Sequence, residues 1–141
     1  MIIYFSNYSN NTHRFVQKLG ILNARIPIDI SEAEKFTVDE PYVLIVPTYG
    51  SNMDHVPHQV KKFLKNPENA RNLKGVVGSG NTNFGAKYCA AAWLVAERFK
   101  VPMFYTFELL GTPEDVSRVK EGLAEFFDKH PDFTRASETA V

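Results

Sequence analysis

The chain has little of what several classes of protein require. It contains one cysteine, Cys89, so neither an internal disulfide nor a site with several cysteine ligands can form. Its longest apolar runs, such as residues 42–47, fall far short of the roughly 20 residues that cross a bilayer. Sixteen basic and sixteen acidic residues balance, which leaves no net field to gather nucleic acid or an anionic membrane. We therefore expect no membrane span and no nucleic-acid partner, and redox chemistry would need a bound cofactor.

The bulk composition is that of a globular protein. Apolar residues make up 44% and charged residues 23% of the 141 residues, which is ordinary usage for a chain with a buried core. The first residues are apolar without a basic lead-in, and a polar stretch follows where a signal peptide would continue its apolar region. We therefore expect a cytoplasmic protein with one domain over residues 1–130 and a flexible tail over residues 131–141.

Strand-like and helix-like segments alternate along the chain, which is typical of a parallel sheet covered by helices. Strands are predicted at residues 2–5, 25–28, 42–46, 75–78 and 102–107. Helices are predicted at residues 12–19, 56–64, 86–99 and from 113 onward. Pro27 lacks a backbone donor, which places the second strand at a sheet edge. The predicted fold is α/β, with a doubly wound, five-stranded parallel sheet in the order 2-1-3-4-5.

Local signals mark the helix ends and faces. Thr12 is predicted to cap the first helix and Gly20 to end it. Thr112 and Pro113 are predicted to start the last helix. Trp93 is expected to pack on the sheet. The buried helix faces are predicted to carry Phe15, Val16, Leu19, Val60, Phe63, Leu64, Val116, Val119, Leu123, Phe126 and Phe127.

The loop after the first predicted strand has the composition of a phosphate site. Its short hydroxyl and amide side chains lie just before a helix, whose first backbone N–H groups have no partner within the helix. Together these groups can surround a phosphate without lysine or arginine. The candidate phosphate ligands are Ser6, Asn7, Ser9, Asn10, Asn11 and Thr12. A plain turn with a helix cap uses the same residue types, so this alternative stays open.

Two further loops, after the third and fourth predicted strands, have the composition of a site for a flat polar ring. An aromatic residue beside a glycine can lie on a ring while the backbone approaches the ring edge. The candidates are Thr48, Tyr49, Gly50, Gly80, Asn81, Asn83, Phe84 and Gly85. A tyrosine that only covers the sheet end is the alternative for Tyr49. Because all three loops follow adjacent strands at their carboxyl ends, we expect them to hold one ligand.

Longer motifs resemble a known family of proteins. Residues 4–12 resemble the flavodoxin phosphate signature Ser/Thr-x-Thr-Gly-Asn-Thr, with Ser9 in place of the threonine and Asn10 in place of the glycine. The segments that together resemble the NrdI family are residues 11–16, 47–50, 80–85 with 88–89, and 107–112. The resemblance covers nearly the whole chain before the tail. Ser51 and Asn52 depart from it, because many members carry glycines there.

The resemblance implies a flavodoxin-like FMN protein that serves class Ib ribonucleotide reductase. Such a protein would dock on the small subunit, NrdF, and receive electrons from a reductase. Its reduced flavin would react with O2 to deliver an oxidant that assembles the dimanganese, tyrosyl-radical cofactor of NrdF. The resemblance assigns the phosphate role to the six candidates of the first loop and the ring role to the eight candidates of the other two.

Other interpretations lead to different classes of protein. An ordinary electron shuttle or small flavin reductase on the same fold is the nearest, and a module that binds no flavin is another. A receiver domain needs an aspartate, and a low-molecular-weight phosphatase needs Cys-x5-Arg, where this chain has Ser6. His55 and His58 offer two metal ligands at most, which is too few for a closed site. Cys89 is expected to pack in the core.

The two candidate ring loops, residues 47–52 and 78–85, contain no charged residue. Carboxylates around a flavin oppose addition of the second electron, because the fully reduced ring is an anion. We therefore expect the second electron to be added more easily to a flavin bound here than to one in an acidic flavodoxin.

Overall fold

Five strands and six helices make up the part of the chain that a computed structural model describes, residues 1–48, 56–81 and 88–129. The strands are β1 (Ile2–Tyr4), β2 (Asn23–Arg25), β3 (Tyr42–Pro47), β4 (Leu73–Gly80) and β5 (Met103–Glu108). The helices are α1 (Asn11–Leu19), α2 (Ile30–Lys35), α3 (His58–Lys65), α4 (Pro67–Asn72), α5 (Ala90–Phe99) and α6 (Pro113–Lys129). The predicted tail, residues 131–141, lies outside the described residues.

The sheet is parallel throughout and has the order β2-β1-β3-β4-β5, which confirms the predicted topology. Side chains alternate between its two faces, so neighbours in sequence belong to different cores. Ile3 and Leu44 pack in one core, with helices α3 and α5. Ile2 and Val43 pack in the other, with α1 and α6. The central strands are apolar on both faces because helices cover both.

The strand boundaries agree with the predictions to within three residues, and β2 shows the largest displacement. It covers Asn23–Arg25, whereas residues 25–28 were predicted. Ile26 N donates to Tyr4 O at 2.8 Å, and Pro27, which has no N–H, lies beyond this last bond. The edge position that Pro27 predicted is confirmed.

Two six-residue helices, α2 and α4, were not predicted. Each starts at a side-chain cap: Asp29 accepts from Glu32 N, and Asn66 accepts from Glu68 N. Six residues are less than two helical turns, so no hydrophobic periodicity marks them in the sequence.

The prediction that Thr12 caps α1 was wrong. The helix begins at Asn11, and Asn10 occupies the cap position in a left-handed conformation, with φ 62° and ψ 19°, without a capping bond from its side chain. Ser6 Oγ accepts from His13 N at 3.1 Å and provides the cap from four residues further back. The end at Gly20, with φ 66°, is as predicted.

Helix α6 begins as predicted, with Thr112 before Pro113. Thr112 Oγ1 accepts from Asp115 N at 3.1 Å, and the Asp115 carboxylate accepts from Thr112 N at 2.8 Å. Although partial burial acts to raise the pKa of Asp115, hydrogen bonds from the Tyr105 hydroxyl and from Thr112 lower it overall. On the predicted apolar face of α6, Val119 and Leu123 are buried, and the other three residues are half-buried.

Helix α5 begins at Ala90, whereas residue 86 was predicted, because Tyr88 and Cys89 form a turn. Its buried stripe is Ala91, Ala92, Val95 and Ala96. Trp93 lies off this stripe and is 55% exposed, so the expectation that it packs on the sheet was wrong. Among the described residues, no helix has the length and apolar character needed to cross a membrane.

Candidate functional site

A cavity of about 240 Å³ lies at the carboxyl ends of β1, β3 and β4. Its described lining residues are Asn7, Ser9, Asn11, Thr12, Pro47, Thr48, Ser79, Gly80, Asn81 and Leu109. The structure therefore brings the three predicted loops to one place. Ser6 and Asn10 are not in the lining, and five candidates, Tyr49, Gly50, Asn83, Phe84 and Gly85, lie outside the described residues.

The β1–α1 loop, residues 5–10, forms a tight turn at one end of the cavity. Asn7 O accepts from Asn10 N at 3.0 Å, and Asn7 Oδ1 accepts from Ser9 N at 3.0 Å. The Ser9 hydroxyl donates to the same Asn7 oxygen. An asparagine side chain that bonds two residues onward is an Asx turn, which stabilises the loop from within.

Two backbone N–H groups at the start of α1 are left for a ligand. Ser6 Oγ takes His13 N, and Asn10 O takes Arg14 N at 2.9 Å. Asn11 and Thr12 lie in the first turn of α1, where the helix supplies no carbonyl four residues earlier for their N–H groups. Within the described residues these two N–H groups have no acceptor. These N–H groups at the positive end of a nine-residue helix suit an anion.

Hydroxyl groups join the loops beneath the cavity. Thr12 and Ser79 are both buried, and their hydroxyl oxygens lie 3.2 Å apart in a hydrogen bond. Ser79 O accepts from Thr48 N at 3.0 Å, and Thr48 Oγ1 accepts from Ala91 N at 3.0 Å. The Thr48 hydroxyl therefore holds the start of α5, in addition to lining the cavity.

Gly80 is required by a close approach of chain segments. A Cβ at this position would lie 2.9 Å from Cys89 N and 3.3 Å from Cys89 Sγ. Because the first of these atoms belongs to the backbone, it cannot move aside as a flexible side chain would. A larger residue at position 80 would separate β4 from the turn before α5.

Comparisons with known proteins show which family the chain resembles. Residues 3–121 match the model of a family described as NrdI flavodoxin-like. The Protein NrdI of Mycobacterium tuberculosis is 50% identical over 134 residues, covering 89% of this chain and 87% of that protein. The Protein NrdI of Pectobacterium carotovorum is 48% identical over 130 residues, covering 91% and 96%. The chain belongs to the NrdI flavodoxin-like family.

Solved flavodoxins share the fold of this NrdI family member. Oxidised Flavodoxin 2 from Bacillus cereus aligns with a TM-score of 0.60 at 19% identity, covering 89% of this chain and 98% of that one. The two-electron reduced flavodoxin of Megasphaera elsdenii aligns with a TM-score of 0.57 at 17% identity, covering 89% and 99%. NrdI family membership and the flavodoxin-like fold imply a flavin cofactor and an association with ribonucleotide reductase.

The described lining fits one end of such a cofactor. It combines unpaired helix N–H groups, hydroxyl and amide side chains, and the apolar Pro47 and Leu109. None of these described lining residues is charged. Which candidate residues of this NrdI family member contact the flavin stays a prediction. This holds for candidates inside and outside the described ranges.

Leu109 is a lining residue that the sequence analysis missed. It follows β5, outside the three loops considered, and its N–H donates to Gly80 O at 2.9 Å. Its φ is 54°, and the turn is closed by Gly111 N donating to Glu108 O. A positive φ at the first central position of a turn normally belongs to glycine, asparagine or aspartate. Leu109 is 48% exposed at the cavity rim.

The sequence also did not identify Ser79, which lines the cavity, or Arg25, which contacts the β1–α1 loop. Ser79 stands between two glycines in the candidate ring loop, which could have marked it as a strand-end residue like its neighbour Gly80. Arg25 reaches the β1–α1 loop from β2, and its Nη2 donates to Ser6 O at 2.8 Å. No signal in the sequence connects Arg25 with that loop, because pairing of β1 with β2 brings them together.

A larger groove of about 780 Å³ lies between α3 and α5. Its described lining is Val56, Lys61, Leu64, Lys65, Leu94, Val95, Glu97, Arg98 and Phe99. It contains none of the candidate phosphate or ring residues. Hydrogen-bond donors converge in the smaller cavity, so the smaller cavity is the candidate site.

Titratable clusters do not suggest a metal site in the described part of the chain. No group of three or more histidine, cysteine, aspartate or glutamate residues there is arranged to hold an ion. His58 starts α3 and is exposed, and its predicted companion His55 lies outside the described residues.

Cys89 is fully buried at the turn before α5, as expected, and we predict that it is inert in the folded protein. Burial raises the pKa of its thiol to about 11, so almost no reactive thiolate exists at pH 8. Labelling with a disulfide reagent should be at least about 100-fold slower in native protein than in urea-unfolded protein. Equal rates in the two states would contradict this and would restore thiol chemistry as a candidate.

Proposed function

We propose that the cavity binds FMN and that the protein activates class Ib ribonucleotide reductase. The partner would be the small subunit NrdF, with a reductase as electron donor, in the cytoplasm. When reduced, the bound flavin would react with O2 and supply the oxidant for assembly of the dimanganese, tyrosyl-radical cofactor. No nucleic acid or membrane has a part in this proposal.

One observation carries the proposal of FMN. The N–H groups of Asn11 and Thr12 face no acceptor in the described chain, at a helix end that opens on a cavity whose described lining residues carry no charge. A phosphate monoester can accept from both N–H groups and, when Ser79 is the donor in its hydrogen bond with Thr12, from the Thr12 hydroxyl. The backbone and the helix dipole then compensate the phosphate charge without a basic side chain in contact.

The ring end of FMN would lie toward β3, β4 and the turn after β5. Pro47 and Leu109 offer apolar surface, and Gly80 and Asn81 offer polar backbone and amide groups. The proposed ring contacts of Tyr49, Gly50, Asn83, Phe84 and Gly85 extend this end of the site. The protein's part is to bind and orient the flavin and to control the access of water and O2 to it.

A general electron shuttle or a small flavin reductase would use the same cavity. The absence of charge among the described lining residues favours the activator, because it allows the flavin to be reduced fully before it meets O2. A shuttle needs no NrdF, so the presence or absence of a specific partner distinguishes the two functions.

The first test is flavin binding, measured by quenching of flavin fluorescence. We expect FMN to bind at least about 100-fold more tightly than riboflavin, because two or more hydrogen bonds to a charged phosphate contribute about 1.5 to 3 kcal/mol each. Failure to bind FMN after reconstitution would exclude both the activator and the shuttle.

The second test adds the partner. The FMN-loaded protein is reduced without oxygen and then exposed to air with NrdF and Mn(II), and tyrosyl radical is measured by electron paramagnetic resonance. Radical that forms only when this protein is present supports the activator. Bound flavin without radical formation would favour the shuttle, and free reduced FMN in place of the protein is the control.

A further inference from the structure

Arg25, on the edge strand β2, makes an unusual set of contacts with the β1–α1 loop. Its Nη2 donates to Ser6 O at 2.8 Å, to Asn7 O at 3.1 Å and to Asn10 Oδ1 at 2.9 Å. One guanidinium nitrogen therefore gathers three oxygens of the same loop. Arg25 is not among the residues that line the cavity.

These contacts set the direction of the loop's peptide groups. In a planar trans peptide, the carbonyl and the following N–H point in opposite directions. Since the carbonyls of Ser6 and Asn7 point at the guanidinium, the N–H groups of Asn7 and Tyr8 point away from it. Arg25 thus orients backbone donors without occupying the place where an anion would lie.

The third contact supports the strained position in the loop. Asn10 is left-handed, where the flavodoxin signature has a glycine, and its carbonyl accepts the first main-chain bond of α1 from Arg14. Asparagine tolerates this conformation better than most residues, but at some cost. The bond from Arg25 to Asn10 Oδ1 holds the side chain and with it the turn that aims α1 at the cavity.

The guanidinium is not neutralised within the described chain. None of the ion pairs there includes Arg25, and its Nε is buried without a hydrogen-bond partner. Partial burial of a cation without a carboxylate costs free energy, and an anion held nearby would offset part of that cost. The carbonyl dipoles that it binds belong to the loop whose other groups line the candidate phosphate site.

We propose that Arg25 is the positioning residue of the phosphate site. It does not touch FMN; it fixes the β1–α1 loop in the phosphate-binding shape, and its charge favours the anion through that loop. This inference rests on the proposed binding of FMN. It predicts that loss of Arg25 weakens the binding of FMN selectively and leaves riboflavin, which has no phosphate, nearly unaffected.

The test compares FMN and riboflavin affinities of Arg25→Met with those of the unchanged protein, by fluorescence quenching. We expect FMN affinity to fall about 10- to 100-fold and riboflavin affinity to change less than about threefold, as for loss of hydrogen bonds that involve a charged group. Arg25→Lys keeps the charge but lacks the branched donor of the guanidinium. Its FMN affinity should therefore lie between that of Arg25→Met and that of the unchanged protein. It also keeps the test decisive if Arg25→Met does not fold, which circular dichroism would show.

Arg14→Met is the matched control. Arg14 is exposed on α1 beside the same loop, and its hydrogen bond to the loop, from its N–H to Asn10 O, is made by the backbone. Removal of its charge should change FMN affinity less than about threefold. An equal loss for FMN and riboflavin in the Arg25 variants, no loss of FMN, or an equal effect in Arg14→Met would overturn the inference. Unchanged protein that binds neither flavin would instead overturn the proposed function itself.

Discussion

Replacement of Asn69 by alanine is expected to lower the free energy of unfolding by about 3 to 5 kcal/mol, because it removes three hydrogen bonds and takes the acceptor away from the buried N–H of Val38. Asn69 is fully buried. Its Oδ1 accepts from Val38 N at 2.8 Å, and its Nδ2 donates to Phe36 O at 2.8 Å and to Phe63 O at 2.9 Å. One side chain thereby ties the segment after α2 to the end of α3.

Chemical denaturation of the flavin-free protein measures this loss, and Asn72→Ala provides the matched control. Asn72 lies on the same helix, is half-buried and makes one comparable bond, from Nδ2 to Val38 O at 3.0 Å. Its removal should cost about 1 kcal/mol. If the two variants lose equal stability, the network around Asn69 is not what stabilises this side of the sheet.

Replacement of Asn81 by aspartate is expected to lower the potential for the second reduction of bound FMN by about 60 to 90 mV. Asn81 lines the cavity, and aspartate has the same shape with a negative charge. Two unit charges about 8 Å apart interact by about 2 kcal/mol at an effective dielectric constant near 20, and 60 mV corresponds to about 1.4 kcal/mol for one electron. The added charge opposes the anionic reduced ring.

Spectroscopic redox titration of the FMN-loaded protein measures this shift. Asn66→Asp is the control, because Asn66 caps α4 before β4 begins, away from the cavity, and aspartate caps a helix equally well. Its potential should move by less than about 20 mV, as expected for a distant, screened charge. A shift in Asn81→Asp no larger than that in Asn66→Asp would show that the charge at position 81 does not influence the potential.

The sheet could be predicted from the sequence because its signals are local and strong. Buried parallel strands are continuous apolar runs, and Pro27 alone was enough to place β2 at the edge. Helix ends were harder to predict. Thr12 has the residue type of a cap, yet it lies inside α1 and bonds Ser79, because Ser6 from further back in the chain takes the capping role.

The candidate site was predictable to the extent that its residues lie in loops after strands. The structure gathers Asn7, Ser9, Thr48 and Asn81 around one cavity. Arg25 was not predictable, since strand pairing joins it to residues far away in sequence. The position of Leu109 in the lining was not predicted, because leucine does not indicate a turn with a left-handed conformation.

The turn after β5 bears on the design of heat-resistant forms of this protein. The left-handed conformation of a leucine at φ 54° costs about 1 to 2 kcal/mol of free energy relative to glycine, with or without a bound ligand. Glycine at position 109 would relieve that strain and would also take apolar surface away from the rim of the cavity. At this residue, a gain in thermal stability would come with a loss of ligand affinity. Stabilising changes are therefore better sought elsewhere in the chain.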